Sequence, residues 1–291
     1  QHTLRAYTAD LEEFSEYCGD GTEAPDRRKV RSYIVSLNAK GLSRNTLLRK
    51  VSSLRSFSRW LLEEGELDKD PFLNVPIPKK EKRLPEFLTE KEMRTLLDSA
   101  GKGGDWRTLR DRAVLELLYS SGLRRSELAD LAVDDIDFMG GVVRVFGKGA
   151  RERIVPVGDT ALEAIRKYLR DRPRVRRLPT ASGRGTSSGW ASVAGKNRVP
   201  LWINAKGGPL TDAGVALIVR RCVKASGLHK TLSPHAIRHS FATQLLDGGC
   251  DLRALQEMLG HKSLSSTHVY THTSLEGLKK VYGRTHPRGG R

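Results

Sequence analysis

The chain has 291 residues, which is ample for two domains and rules out a peptide or a lone small module. Lysine and arginine total 51 against 34 acidic residues, and the resulting +17 formal charge favours a polyanionic partner. Cys18, Cys222 and Cys250 lie too far apart for a disulfide framework or a close-spaced zinc knuckle, so a reducing, cytoplasmic setting is expected. No apolar run approaches the ~18 residues of a membrane span, and the amino terminus does not read as a signal peptide. The basic charge therefore points to nucleic acid before membrane. Residues 1–90 carry 16 basic and 15 acidic side chains, whereas 91–291 carry 35 and 19, so the second part holds the field.

Residues 1–65 read as all helical. Leu4, Tyr7, Leu11 and Phe14 recur at helical spacing, as do Val30, Ile34 and Leu37. The chain opens at Gln1 inside such a pattern, which implies that a natural start has been lost. From Ser43 to Leu61, residues Leu47, Val51, Leu54 and Leu61 share one side of a helix, and Arg44, Arg55 and Arg59 share a neighbouring strip. That strip is either a solvated face or a helix laid against phosphates.

Pro71, Pro76, Pro78 and Pro85 then interrupt any helix, with Lys79, Lys80, Lys82 and Arg83 among them. We therefore expect a helical first domain over 1–70, a basic linker over 71–87 and a second domain over 88–291. Thr89-Glu90-Lys91-Glu92 has capping-box spacing at the start of that second domain. Helices are predicted at about 89–100, 108–121, 126–131, 160–171, 211–226, 233–247, 251–259, 263–270 and 274–282. Val142–Phe146 and Arg153–Val157 read as a β-hairpin around Gly147-Lys148-Gly149-Ala150. Residues 172–200, with seven basic and no acidic side chains, read as a mobile basic loop in which Trp190 is either a tether or a base-stacking group.

Four scattered segments carry candidate chemistry. In Gly122-Leu123-Arg124-Arg125-Ser126-Glu127-Leu128 one helix ends at Gly122, Ser126 is placed to cap the next, and Arg124 sits in the turn. Lys148 occupies the hairpin tip. In Ser233-Pro234-His235-Ala236-Ile237-Arg238-His239, His235 and Arg238 project from one face of a helix start while Ile237 and Phe241 face the core. His235 and His239 have the i, i+4 spacing of zinc ligands, but the intervening Glu of H-E-x-x-H is missing and no third ligand is evident, so no metal is expected. Leu259-Gly260-His261 is followed nine residues later by Tyr270. A tyrosine on a short helix ordinarily packs, but this one follows two arginines, a lysine and two histidines able to address one phosphate.

With these segments in order, the chain resembles the tyrosine site-specific recombinases, particularly the Xer type. The motifs are G-L-R-x-S-E-L, G-K-G, S-P-H-x-x-R-H-x-F-A-T, L-G-H and Y-T-H, and the likeness runs from residue 1 to 291. It implies a mainly α fold in which a helical SAM-like core-binding domain joins a mostly helical catalytic domain with a small antiparallel sheet, the two clamping a duplex. It implies Tyr270 as nucleophile, Arg124 and Arg238 on the nonbridging phosphate oxygens, Lys148 as general acid, His235 as acid/base partner of Tyr270 and His261 as a hydrogen-bond donor to the phosphate. No cofactor follows from it. Arg125 stands where Xer proteins often carry an apolar residue, and the 172–200 loop is longer than the usual Xer connection.

The implied function is site-specific cutting and rejoining of duplex DNA through a 3′-phosphotyrosyl link, serving resolution of chromosome or plasmid dimers. The expected partners are double-stranded DNA with paired half-sites, this protein or a paralogue in a tetrameric synapse, and a septal DNA translocase, in a nucleoid-associated location. The alternatives are a mobile-element or phage integrase of the same family, a type IB topoisomerase and a noncatalytic DNA-binding protein. Leu275, Leu278 and Tyr282 form an apolar stripe on the last helix, expected to dock into a neighbouring subunit.

Overall fold

The computed structural model describes residues 2–19, 26–76, 87–147, 152–173, 198–230, 232–260 and 272–289. The chain divides into two compact units, Gln1–Leu84 and Pro85–Arg291. No described helix is long and apolar enough to cross a membrane.

The first unit holds helices α1 (His2–Cys18), α2 (Arg27–Ala39) and α3 (Arg44–Glu63). Asp26 and Ser43 cap α2 and α3 by accepting from the Lys29 and Thr46 amides, satisfying donors that a helix start leaves free. Phe14, Val30, Ile34, Leu37, Leu47, Val51 and Leu54 form the core, as the apolar spacing predicts, and Tyr33 joins them, whereas Leu4 is exposed. Phe72 and Val75 join it, so the segment up to residue 76 belongs to this unit and the expected linker begun at 71 starts too early. The prolines that suggest a linker there also allow a tight turn, which Asp70 holds by accepting from the Phe72 amide at 2.8 Å. Beneath the helices, buried Asp10 accepts from Lys50 and Ser53 at 3.1 and 3.0 Å and ties α1 to α3. Arg44, Arg55 and Arg59 are exposed, and Arg55 also reaches the Phe72 carbonyl. Lys79, Lys80, Lys82 and Arg83 lie outside the described residues.

The second unit is built around α5 (Trp106–Ser121), which is buried over most of its length. Around it stand α4 (Glu90–Ser99), α7 (Asp159–Asp171), α8 (Asp212–Ser226) and α9 (Pro234–Asp247). The expected capping box is present, Thr89 and Glu92 exchanging side-chain to amide bonds at 2.9 and 3.3 Å. β2 (Val142–Phe146) and β3 (Glu152–Pro156) pair antiparallel, and a two-residue β1 (Ile136–Asp137) too short to show alternation completes the sheet on the β2 edge. The short helix α6 (Arg125–Ala129), α10 (Leu252–Leu259) and α11 (His272–Thr285) complete the unit. The helix expected at 263–270 lies outside the described residues, as does Trp190.

Two ends of the basic loop are held in place. The Arg172 guanidinium donates to the Pro200 and Leu201 carbonyls at 2.8 and 3.0 Å, and Arg198 pairs with buried Asp135. Two of the seven cations counted in that loop are therefore structural. Residues 174–197 lie outside the described residues.

The last helix departs from expectation. Instead of presenting its apolar stripe to another subunit, α11 folds back on its own domain, with Leu278 and Tyr282 in the core. The Tyr282 hydroxyl lies 2.7 Å from Ser120 Oγ, which also accepts from the Gly158 amide. The chain past α11 packs so closely that a Cβ on Gly158 would lie 1.9 Å from the Arg288 carbonyl oxygen. Just beyond the helix, His286 is buried against Tyr119, Phe241 and Tyr282. Its Nε2–H donates to the Tyr119 carbonyl and its Nδ1 accepts from the Arg288 amide, which fixes a neutral tautomer.

Burial pushes the His286 imidazole down to about 3. Because this folded value lies below the unfolded one of about 6.5, the unfolded chain takes up the proton first. The stability that neutral His286 lends is present above pH ~6.5 and is lost as pH falls toward 3. Between pH 7 and 5, unfolding of the native protein should lose roughly 2 kcal/mol more than that of His286→Gln. Parallel urea titrations decide this, and identical pH dependence in the two proteins would contradict it.

Candidate active site

The site forms where three helix ends meet. Gly122 closes α5 with φ +58°, and an added Cβ would lie 2.3 Å from the Phe241 ring, so both conformation and space demand glycine. The chain then turns through Arg124 into α6. Arg124 itself holds the position before that helix, while Ser126 lies inside it and makes no cap, contrary to expectation. The free amide is satisfied from the other direction, because the Glu127 carboxylate accepts from the Arg124 N–H at 2.8 Å.

At the end of α10, three consecutive carbonyls each receive a different arginine. Met258 O accepts from Arg153 Nε at 3.0 Å, Leu259 O from Arg238 Nη2 at 2.7 Å and Gly260 O from Arg124 Nη2 at 3.1 Å. These are carbonyls that a helix leaves unpaired at its negative end, so guanidinium groups complement them in both hydrogen bonding and charge. Arg238 also donates to Gly122 O at 2.6 Å, linking the ends of α5 and α10.

Arg124 and Arg238 therefore converge from separate segments. The Arg124 side chain stays 40% exposed, and Arg238 is half-buried. Burial and the like charge of Arg124 pull the Arg238 guanidinium down to about 10, which leaves it protonated at neutral pH. Arg125 pairs instead with Asp212 at 2.8 Å, a structural tie to the start of α8, whereas Arg124 turns toward Glu127 and the Gly260 carbonyl. His235 is exposed in the first turn of α9, with Ile237 and Phe241 buried behind it as the pattern requires. Among the described residues, no three potential ligands gather to hold a metal ion.

Lys148, His261 and Tyr270 lie outside the described residues. His261 follows Gly260 directly in sequence, and β2 and β3 flank the segment that carries Lys148. The other tyrosines of this unit are otherwise engaged. Tyr119 donates to Gln244, the Tyr168 hydroxyl accepts from the Ile203 amide and Tyr282 bonds Ser120. Burial raises the pKa of all three, making them poorer nucleophiles.

Two residues of this site, Glu127 and Arg153, escape the sequence reading as functional groups. Arg153 Nη1 and Nη2 donate to the two Glu127 oxygens at 2.9 and 2.8 Å, and Arg124 Nη1 donates to Glu127 Oε1 at 2.8 Å. Burial alone would raise the Glu127 pKa, but Arg153, and then Arg124, hold it at about 2. The available signal is strand alternation: Arg153 occupies the inward face of β3 with Val155, where a charge requires a partner.

Residues 86–276 match the phage integrase family, and residues 1–65 match the N-terminal SAM-like domain of phage integrases. The tyrosine recombinase XerC of Pelobacter propionicus is 41% identical over 293 residues, covering 99% of this chain and 90% of that protein. XerC of Pelotomaculum thermopropionicum is 44% identical over 90% of this chain and 82% of its own length. XerD of Halalkalibacterium halodurans is 38% identical over 99% and 92%. Among solved structures, the Tn1549 transposon integrase in complex with transposon right end DNA shares the fold at a TM-score of 0.69 and 21% identity, covering 96% of this chain and 93% of that one. The XerH recombinase bound to palindromic difH does so at 0.67 and 23%, covering 98% and 76%.

Proposed function

Because the chain belongs to the phage integrase family, as a tyrosine recombinase related to XerC and XerD, we propose that it cuts and rejoins duplex DNA at a specific site through a 3′-phosphotyrosyl intermediate on Tyr270. The observation that carries this reading is the convergence of Arg124 and Arg238 on the last carbonyls of α10, one residue before His261.

A phenol with a pKa of ~10 attacks a phosphodiester poorly at neutral pH unless its proton is removed and the phosphorus made electrophilic. Two guanidinium groups on the nonbridging oxygens offset the charge that accumulates in the transition state. Their backbone bonds fix them beforehand, so little reorganisation accompanies reaction. Attack by Tyr270 breaks the bond to the 5′-oxygen, and Lys148 protonates that leaving group. His235 serves as acid/base partner of Tyr270, and His261 donates to the phosphate. The bond energy is kept in the phosphotyrosyl ester, and a 5′-hydroxyl from a second strand reverses the step. This scheme uses neither a metal ion nor a nucleotide.

The biological reading is Xer-type resolution of chromosome or plasmid dimers in the cytoplasm, on paired half-sites, with this protein or a paralogue completing a tetrameric synapse and a septal translocase aligning the DNA. The match to XerC and XerD proteins over 82 to 92% of their length supports it over a mobile-element integrase. Covalent complexes trapped on genomic DNA fragments would yield the site. A plasmid carrying two copies should then be resolved into two circles, whereas relaxation of site-free supercoiled plasmid without resolution would favour a topoisomerase.

The basic segment beyond Arg172 is proposed to add affinity without chemistry. Deleting residues 176–196, which spares structural Arg198, should flatten the slope of log affinity against log salt by about 1 to 3 units, since each neutralised phosphate contributes about 0.9. An unchanged slope with lost cleavage would assign the segment a catalytic role instead.

A further inference from the structure

Glu127 presents a problem for a phosphate-binding arginine. A carboxylate 2.8 Å from Arg124 cancels much of the charge that Arg124 would offer a phosphate. The structure also contains a counterweight, because Arg153 grips the same carboxylate with both prongs and is itself buried, 7% exposed. We propose that Arg153 is a positioning residue for strand cleavage, which takes up the charge of Glu127 and so leaves Arg124 both fixed in place and positive toward the scissile phosphate. This rests on the reading of Arg124 as a phosphate-binding group.

Three features support the assignment. Arg153 joins three parts of the site: Glu127 of α6, the Met258 carbonyl of α10 and, through its place on β3, the strand that follows the segment carrying Lys148. Space is reserved for it, since a Cβ on Gly260 would lie 3.1 to 3.2 Å from its Cδ, Cζ and Nε atoms. Finally, the geometry divides the work. Arg153 spends its three bonding nitrogens on Glu127 and Met258, whereas Arg124 keeps a partly exposed guanidinium. Arg153 is therefore too occupied to bind phosphate and acts through Arg124.

Removing Arg153 costs the cluster one positive charge and leaves Glu127 to neutralise Arg124 alone; replacing Glu127 by glutamine then restores that charge while keeping a carbonyl oxygen for the Arg124 amide. Glu127→Gln should therefore raise cleavage in Arg153→Met; in the otherwise native protein it leaves the buried Arg153 guanidinium without its carboxylate and loosens the hold on Arg124, so cleavage should fall there. A purely structural arginine predicts losses in both.

The test uses the full chain and a nicked suicide duplex bearing the site recovered from genomic DNA, with single-turnover adduct formation, half-site gel shifts and thermal unfolding for each variant. Arg153→Met should cleave about 10- to 100-fold more slowly, by analogy with the loss on removing groups that orient metal ligands, with half-site affinity unchanged. Arg153→Lys, which keeps the charge but not the second prong, should fall between Arg153→Met and the native protein, and it carries the test if Arg153→Met does not fold. Arg153→Met/Glu127→Gln should recover at least tenfold of the loss. A native rate in Arg153→Lys or Arg153→Met, or no relief by Glu127→Gln in folded protein, overturns the proposal. Full activity in Arg124→Ala overturns the underlying reading of Arg124, and a native protein that forms no adduct overturns the enzymatic reading and this proposal with it.

Discussion

Tyr270→Phe should form no covalent DNA adduct while binding half-site DNA within about twofold of the native protein. The expected loss is complete because the missing oxygen is the atom that joins the phosphorus, and no neighbouring group replaces it. Binding should survive because affinity for DNA comes mainly from cations against phosphates, and a phenolic hydroxyl adds little to that. The structure narrows the alternatives. Tyr119, Tyr168 and Tyr282 of the same unit are buried, hydrogen-bonded and made less acidic by burial, so none is poised to attack. Equal amounts of native and variant protein, incubated with a nicked duplex in EDTA and resolved under denaturing conditions, give the answer. A persistent adduct in the variant would move the nucleophile elsewhere, and a strict metal requirement in the native protein would contradict charge stabilisation by arginine.

Lys148→Ala should slow cleavage by about 10²- to 10⁴-fold, the range for a general acid, and should regain most of that rate when the leaving oxygen is replaced by sulfur. An alkoxide leaves badly without a proton, whereas a thiolate, whose conjugate acid has a pKa near ~8.5, leaves well without help. Arg124→Ala should be slowed by about 10²- to 10³-fold and should gain little from the same change, because its role is charge on the nonbridging oxygens. Comparing each variant on the 5′-bridging phosphorothioate and on ordinary DNA separates proton transfer from electrostatics. Equal relief in both variants would remove Lys148 from the acid role.

Much of the fold is legible in the sequence because it is locally encoded. The Thr89–Glu92 box, the glycine after Ser121 and the apolar spacing of α2 and α3 each fix an element through contacts a few residues apart. What escapes depends on distant partners. Phe72 and Val75 sit among prolines, and only the packed helices reveal them as core. The stripe of Leu278 and Tyr282 is plain in the sequence, but which surface it covers is decided by Ser120 and Gly158, far away in the chain. The Arg124 and Arg238 motifs stand out, whereas Glu127 and Arg153 acquire meaning only when α6, β3 and α10 meet. Charged residues on inward positions of short elements deserve the same scrutiny as exposed motif residues, because burial obliges them to find a partner.

The docking of α11 also changes what truncation should do. Removing residues 274–291 takes Leu278, Tyr282 and His286 out of the core of the second unit, so the consequence falls on folding.

In the proposed reaction Tyr270 becomes linked to the 3′ phosphate of a cut strand without metal. Mass spectrometry of peptides from the native protein, trapped on a nicked suicide duplex in EDTA and digested with protease and nuclease, tests it directly. A single nucleotide adduct is expected on the peptide containing Tyr270, attached through the 3′ phosphate and leaving a free 5′-hydroxyl on the other fragment. A 5′-linked adduct, attachment to any other residue, or cleavage that leaves no protein on the DNA would contradict it.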